Sequence, residues 1–144
     1  MLQHHFNWKT LSLIAGLTMW KFYFELFEDA IKGEHVVVFV RHLLRCIEGK
    51  LILVWDGLPA HRSKLVKEYL QTVGDRVVIE RLPAYAPELN PVEYIWAYLK
   101  HHELPNVCPK DLWQVGEGAI RCLRRMRRRP RLITAFWKQA SLWD

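Results

Sequence analysis

Apolar residues at Val36, Val40, Leu43, Leu44 and Ile47 recur at helical spacing, which predicts a helix from Glu34 to Ile47 with Gly49 standing where a helix would close. The β-branched run Val36 to Val40 also suits the start of a strand, and periodicity leaves both readings open. Upstream, Lys9 to Thr18 and Trp20 to Phe27 are two short aliphatic and aromatic runs. In the second, Phe22, Phe24 and Leu26 alternate with Tyr23, Glu25 and Phe27, the pattern of a β-hairpin. Lys50 to Trp55 is a continuous apolar run between Gly49 and Asp56-Gly57, which predicts a central parallel strand buried on both faces. Ser63 suits the N-cap of a helix that buries Leu65, Val66, Tyr69, Leu70 and Val73 and stops at Gly74. Val77 to Leu82 reads as the next strand. A strand, helix and strand of these lengths form a βαβ unit, so the fold class is α/β.

The segment after that strand has clear capping grammar. Asn90 caps a helix, Pro91 starts it where a missing N–H does no harm, and Val92, Ile95, Trp96 and Leu99 trace one apolar stripe with Glu93 beside it. Pro105 to Pro109 marks the boundary between a packed core, residues 1–103, and a basic helical tail, residues 104–144.

Composition narrows the class. With 51% apolar and 25% charged residues among 144, the chain reads as a globular domain. Its longest apolar stretches, Leu11 to Leu17 and Val36 to Val40, are far shorter than the roughly 20 residues that span a bilayer. No basic-then-apolar leader opens it, and a cytoplasmic location with no membrane partner is expected. Cys46, Cys108 and Cys122 form no Cys-x-x-Cys pair, so they read as reduced thiols rather than a disulfide frame or zinc knuckle. The net charge of +6 is concentrated late, at Arg121, Arg124, Arg125, Arg127, Arg128, Arg129 and Arg131. Such a cluster suits a polyanion, and equally a solvated helix face.

Two carboxylates stand out by position. Asp56 ends a strand at its carboxyl edge, where open α/β sheets place ligand sites, although Asp-Gly after a strand is also a common turn. Glu93 falls where a capping-box glutamate would reach back to the Asn90 amide. The histidine pairs His4-His5 and His101-His102 point in different directions on any regular element and make poor metal sites.

Taken together, Trp55-Asp56-Gly57-Leu58-Pro59-Ala60-His61 and Pro83-Ala84-Tyr85-Ala86-Pro87-Glu88-Leu89-Asn90-Pro91-Val92-Glu93 resemble the last two motifs of mariner-allied insertion-sequence transposases, a branch of the DDE superfamily endonucleases. There an Asp is usually followed by Asn-Ala-Pro and a His, and later by Tyr-Ser-Pro-x-Leu-Asn-Pro-x-Glu. Gly57 stands where Asn is usual and Ala86 where Ser is usual, and both acids are retained. The resemblance extends from about Leu11 through the tail.

It implies an RNase H-like mixed sheet flanked by helices, and metal-dependent cleavage and transfer of DNA strands in transposition. Three carboxylates would hold two Mg²⁺ (or Mn²⁺) ions, Asp56 and Glu93 being the second and third. Hard cations choose oxygen ligands, and two of them about 4 Å apart can activate the attacking oxygen and stabilise the leaving one. His61 matches the family's histidine and takes a supporting role near the metal or scissile phosphate, or fixes the start of the following helix. Glu88 is the alternative third acid, at a variable family position. Arg121, Arg124, Arg125, Arg127, Arg128 and Arg131 would contact the phosphates of element ends and target DNA, as one solvent-facing helix.

In the family the first acid lies on the first central strand of the sheet, upstream of a segment like Leu2 to Thr10. The resemblance therefore implies that this strand lacks a counterpart here, and Asp29, after the second hairpin strand, is no substitute. The chain alone is then expected to be inactive, and to need the missing N-terminal segment or a second copy as partner. The alternative is a non-catalytic DNA-binding remnant. A hydrolase of small phosphate esters would use the same acids, but its chemistry calls for no long basic surface.

Overall fold

A computed structural model of the chain describes residues 12–19, 21–83, 87–99, 101 and 112–140. The expected hairpin is present: β1 (Ser12–Leu17) pairs antiparallel with β2 (Phe22–Phe27), from Ser12 opposite Phe27 to Leu17 opposite Phe22. Thr18 closes the turn, its amide donating to the Lys21 carbonyl at 2.8 Å and its hydroxyl accepting from the Lys21 amide at 3.2 Å. The part of the first expected strand before Ser12 lies outside the described residues.

The ambiguous valine run is helical. In α1 (Gly33–Cys46), Val36, Val37, Phe39, Val40, Leu43 and Leu44 are buried and Val38 looks outward, a 3.6-residue period that no strand would give. Gly33 is required by contact, since a Cβ there would collide with the Ser63 hydroxyl. Gly49 has φ +80°, the left-handed region that glycine enters without steric cost. The C-terminus of α1 is held by Arg76, which donates to the carbonyls of Leu44 at 2.6 Å and Ile47 at 2.9 Å.

The βαβ unit follows as β3 (Leu51–Trp55), α2 (Lys64–Val73) and β4 (Val77–Arg81), with β3 and β4 parallel from Leu51 beside Val77 to Trp55 beside Arg81. Ser63 caps α2 by accepting from the Val66 amide at 3.3 Å, and Gly74 ends it at φ +59°. Three helices complete the described chain: α3 (Val92–Tyr98), α4 (Leu112–Arg127) and α5 (Pro130–Gln139).

The hairpin lies between two apolar layers. Leu13, Ala15, Leu17 and Phe22 pack with Val92, Ile95, Trp96 and Leu99 of the α3 segment, and with buried residues of α4 and α5 such as Leu123, Met126, Ile133 and Phe136. Ile14 belongs to the other cluster, with α1, Val66 of α2, and Leu53 and Trp55 of β3. The helices of the basic tail thus share one core with the hairpin.

Three expectations need correction. The β3 strand is not buried on both faces: Leu53 and Trp55 face α1 and α2, while Ile52 is 65% exposed and its parallel neighbour Val78 is 43% exposed. The α3, α4 and α5 layer sits over the hairpin and reaches this face only at Val54, which leaves Ile52 and Val78 open. Nor is β3 central among the described residues, because β1 pairs only with β2 and β3 only with β4. On α2, Leu65 lies outside the buried face, 48% exposed, while Val66 is buried. The Ser63 cap sets that rotation by fixing Val66, not Leu65, in the first turn against Gly33.

Candidate metal centre and basic groove

Parallel pairing places the carboxyl ends of β3 and β4 at one edge of their sheet, and the Leu82 amide extends the ladder by donating to the Trp55 carbonyl at 2.8 Å. Asp56 is the first residue beyond β3 at that edge. Its side chain folds into a local turn in which Oδ1 accepts from the Leu58 amide at 3.1 Å. The Nδ1 atom of His61 lies 3.0 Å from the Asp56 carbonyl oxygen and 3.1 Å from Oδ1. A carbonyl can only accept, so the proton sits on Nδ1 and is donated to it, with Oδ1 in close contact beside it. His61 is buried and its ring stacks on Trp55, with centroids 4.4 Å apart and planes 5° from parallel. The Asp56 side chain keeps 34% of its surface exposed. No side chain is demanded or forbidden at Gly57, where a Cβ would meet Arg81 at an ordinary 3.9 Å.

Glu93 enters through the loop after β4, of which residues 84–86 lie outside the described set. Asn90 caps as expected: it is buried, its Oδ1 accepts from the Val92 amide at 3.2 Å, and its carbonyl accepts from the Glu93 amide at 3.1 Å. This fixes Glu93 in the first turn of α3, half-buried, with a partner of its own. Glu88 is exposed in the turn Pro87–Leu89, and its carbonyl accepts from the Tyr94 hydroxyl at 2.9 Å. Asp29 is exposed in the loop after β2. His4, His5 and His102 lie outside the described residues, and His101 is exposed.

Carboxylate oxygens are the donors a hard divalent cation selects, so Asp56 and Glu93 fit Mg²⁺ or Mn²⁺ in kind. In number they fall short: among the described residues no three His, Cys, Asp or Glu side chains are grouped to hold an ion.

The arginines do not form one helix. Arg121, Arg124, Arg125 and Arg127 belong to α4, Arg128 and Arg129 to the break, and Arg131 to α5, because Pro130 starts a new helix. Helical spacing sorts them. Ala119, Cys122, Leu123 and Met126 bury one face of α4, while Arg121, Arg124, Arg125 and Arg128 line an open groove of roughly 540 Å³ together with Glu117 and Ile120. Arg127 instead lies over the Phe24 ring, 5.4 Å from its centroid, and Arg129 donates to the Tyr98 hydroxyl at 2.8 Å. The sequence predicted the charge but not this division, and it gave no hint of the Trp55–His61 stack. The Asp56 turn was legible in Asp-Gly.

These features define an α/β domain with an acid at the carboxyl edge of a parallel strand pair and a second at the start of the helix beyond it. Residues 2–114 match the sequence model of the DDE superfamily endonucleases, and the chain belongs to that family. Its fold is the RNase H-like one of the Mos1 mariner transposase catalytic domain, whose crystal structure it matches with a TM-score of 0.69 at 17% identity, over 98% of this chain and 72% of that one. The Mos1 paired-end complex with left transposon end matches with a TM-score of 0.69 at 18% identity, over 91% of this chain. The chain spans 39% of the length of the transposase in that complex. The Mos1 catalytic domain with Raltegravir and Mg matches with a TM-score of 0.66 at 17% identity, over 96% of this chain and 73% of that one. No curated protein sequence matches the chain. Among the described residues no helix is long and apolar enough to cross a membrane.

Proposed function

We propose that the chain is part of the catalytic core of a transposase that cuts and joins DNA strands with divalent metal, Asp56 and Glu93 being two of its three acidic ligands. The observation that carries this reading is the placement of Asp56 at the carboxyl edge of β3, in a family whose members are endonucleases. Mos1 structures have been solved with Mg and with Mn, which supports the choice of ion. When bound, such ions stabilise charge on the attacking and leaving oxygens of a phosphodiester. The chain's own share is to hold the carboxylates: β3 and the Asp56 turn fix one, and the Asn90 cap fixes the other on the first turn of α3. The groove of Arg121, Arg124, Arg125 and Arg128 would grip DNA phosphates, which positions a duplex without reading its sequence.

The remaining acid, the first of the three, belongs on a strand joining β1 to β3. In support, these strands share no hydrogen bonds, and a cavity of roughly 270 Å³ is lined by Gly16 and Leu17 of β1 and by Leu51, Ile52 and Leu53 of β3. Without that strand the chain would bind DNA but not cut it. Purified chain should therefore fail to nick transposon-end DNA with Mg²⁺, and a chain extended by a strand bearing the acid should nick it, losing that activity on Asp56→Ala or Glu93→Ala. Nicking by the 144-residue chain that depends on Glu93 would show that the first acid lies within it.

A second reading, a non-catalytic DNA-binding remnant, is favoured by the arginine groove and by the lack of a three-ligand group among the described residues. It requires that Asp56→Ala leave Mn²⁺ binding unchanged.

A further inference from the structure

We infer that His61 is a positioning residue that commits Oδ1 of Asp56 to the protein and leaves Oδ2 as the oxygen presented to a divalent cation. The inference rests on the metal reading of Asp56 and adds which atom is used and what holds it. Oδ1 accepts a hydrogen bond from the Leu58 amide at 3.1 Å and lies in close contact with His61 Nδ1, also at 3.1 Å. Among the described residues no bond to Oδ2 accompanies these, and a third of the side chain remains exposed. The bond and the contact fall on the same oxygen and restrain the side-chain torsions of Asp56, so Oδ2 points in one direction before any ion arrives. His61 is itself held twice over. Its Nδ1 donates to the Asp56 carbonyl at 3.0 Å, and its ring lies flat on Trp55, the residue that ends the buried side of β3. Sheet, indole, imidazole and carboxylate thus form a chain of contacts that transmits the rigidity of β3 to one carboxylate oxygen.

A histidine that only closed the loop would need the bond to the Asp56 carbonyl alone. The second contact, to Oδ1, is the one that bears on the ion, and the two roles separate by substitution. The amide nitrogen of Asn lies near the position of Nδ1, whereas that of Gln reaches the position of Nε2. In the full 144-residue chain, Mn²⁺ binding followed by loss of the free-ion paramagnetic resonance signal should weaken about 10- to 100-fold for His61→Ala and His61→Gln. His61→Asn should stay within about threefold of the unsubstituted chain. Melting temperature and circular dichroism establish that each variant is folded, and if His61→Ala is not, the contrast between Asn and Gln carries the test. Equal affinity for the Asn and Gln variants would overturn the inference and leave His61 as a loop prop, provided Asp56→Ala still lowers affinity. If Asp56→Ala has no effect, the metal reading falls and takes this inference with it.

Discussion

Replacing Arg121, Arg124 and Arg128 together with Ala removes three guanidinium groups from one groove while leaving the buried face of α4 untouched. Each arginine that neutralises a duplex phosphate releases condensed counterion and contributes about 0.9 to the slope of log affinity against log salt, so three contribute about 2.7. Across a fourfold rise from about 50 to 200 mM salt, that slope corresponds to a further loss of about 40-fold, which the unsubstituted chain suffers and the variant escapes. Fluorescence anisotropy with a short duplex at four or five salt concentrations gives both slopes. Arg127→Ala is the internal contrast. Its guanidinium lies over Phe24, so its loss should cost about 0.5–1 kcal/mol of stability and flatten the slope by no more than the one contact. A triple variant with an unchanged slope would refute the groove as a phosphate track and return these arginines to a solvated helix face.

Gly33→Ala should destabilise by about 1–3 kcal/mol in urea unfolding because the new methyl strikes the Ser63 hydroxyl, the opposite sign to that of an ordinary Gly→Ala change in a helix; a stabilised variant would contradict the close approach. Ser63→Ala should cost about 1 kcal/mol through loss of the cap on α2, and a change under about 0.3 kcal/mol would show that the bond to Val66 does nothing. Gly57→Asn, which restores the residue usual in the family, should change stability by less than about 0.5 kcal/mol, since a Cβ there meets Arg81 only at ordinary van der Waals distance. Ile52→Lys should leave stability within about 0.5 kcal/mol while reducing self-association in sedimentation, because Ile52 and Val78 form an exposed apolar patch; a large loss of stability would mean that this patch is covered.

The sequence was most legible where a local rule and the tertiary demand agree. Ser63, Gly74 and Asn90 act as caps and stops because their backbone chemistry is decided within a few residues. The alternation of the hairpin survives because its two faces pack on two different helical layers. Val36 to Val40 was undecided because β-branched propensity favours a strand while the later leucines favour a helix, and the period won. The errors share a cause. An apolar run such as Lys50 to Trp55 cannot say whether both its faces are covered, and Ile52 is exposed because the second layer of helices reaches the hairpin and Val54 but stops short of Ile52. The arginines looked like one surface because their charge is uniform, yet Pro130 divides the segment and Phe24 and Tyr98 draw Arg127 and Arg129 away. At the carboxyl edge of β3, position singled out Asp56 and capping grammar Glu93, but only the resemblance of two motifs suggested a shared role for them. The clamp on Asp56 was not readable, because the stack of His61 on Trp55 depends on how the chain turns after β3.

The most direct test of the central claim is a crystal structure of the chain grown with Mn²⁺, with the ion located by its anomalous scattering. The expected result is an ion on Oδ2 of Asp56, with the Glu93 carboxylate at the same edge and no more than about 10 Å away, within reach of a two-metal centre. Manganese bound elsewhere, or Asp56 and Glu93 farther apart than that, would contradict the claim that they serve one metal site.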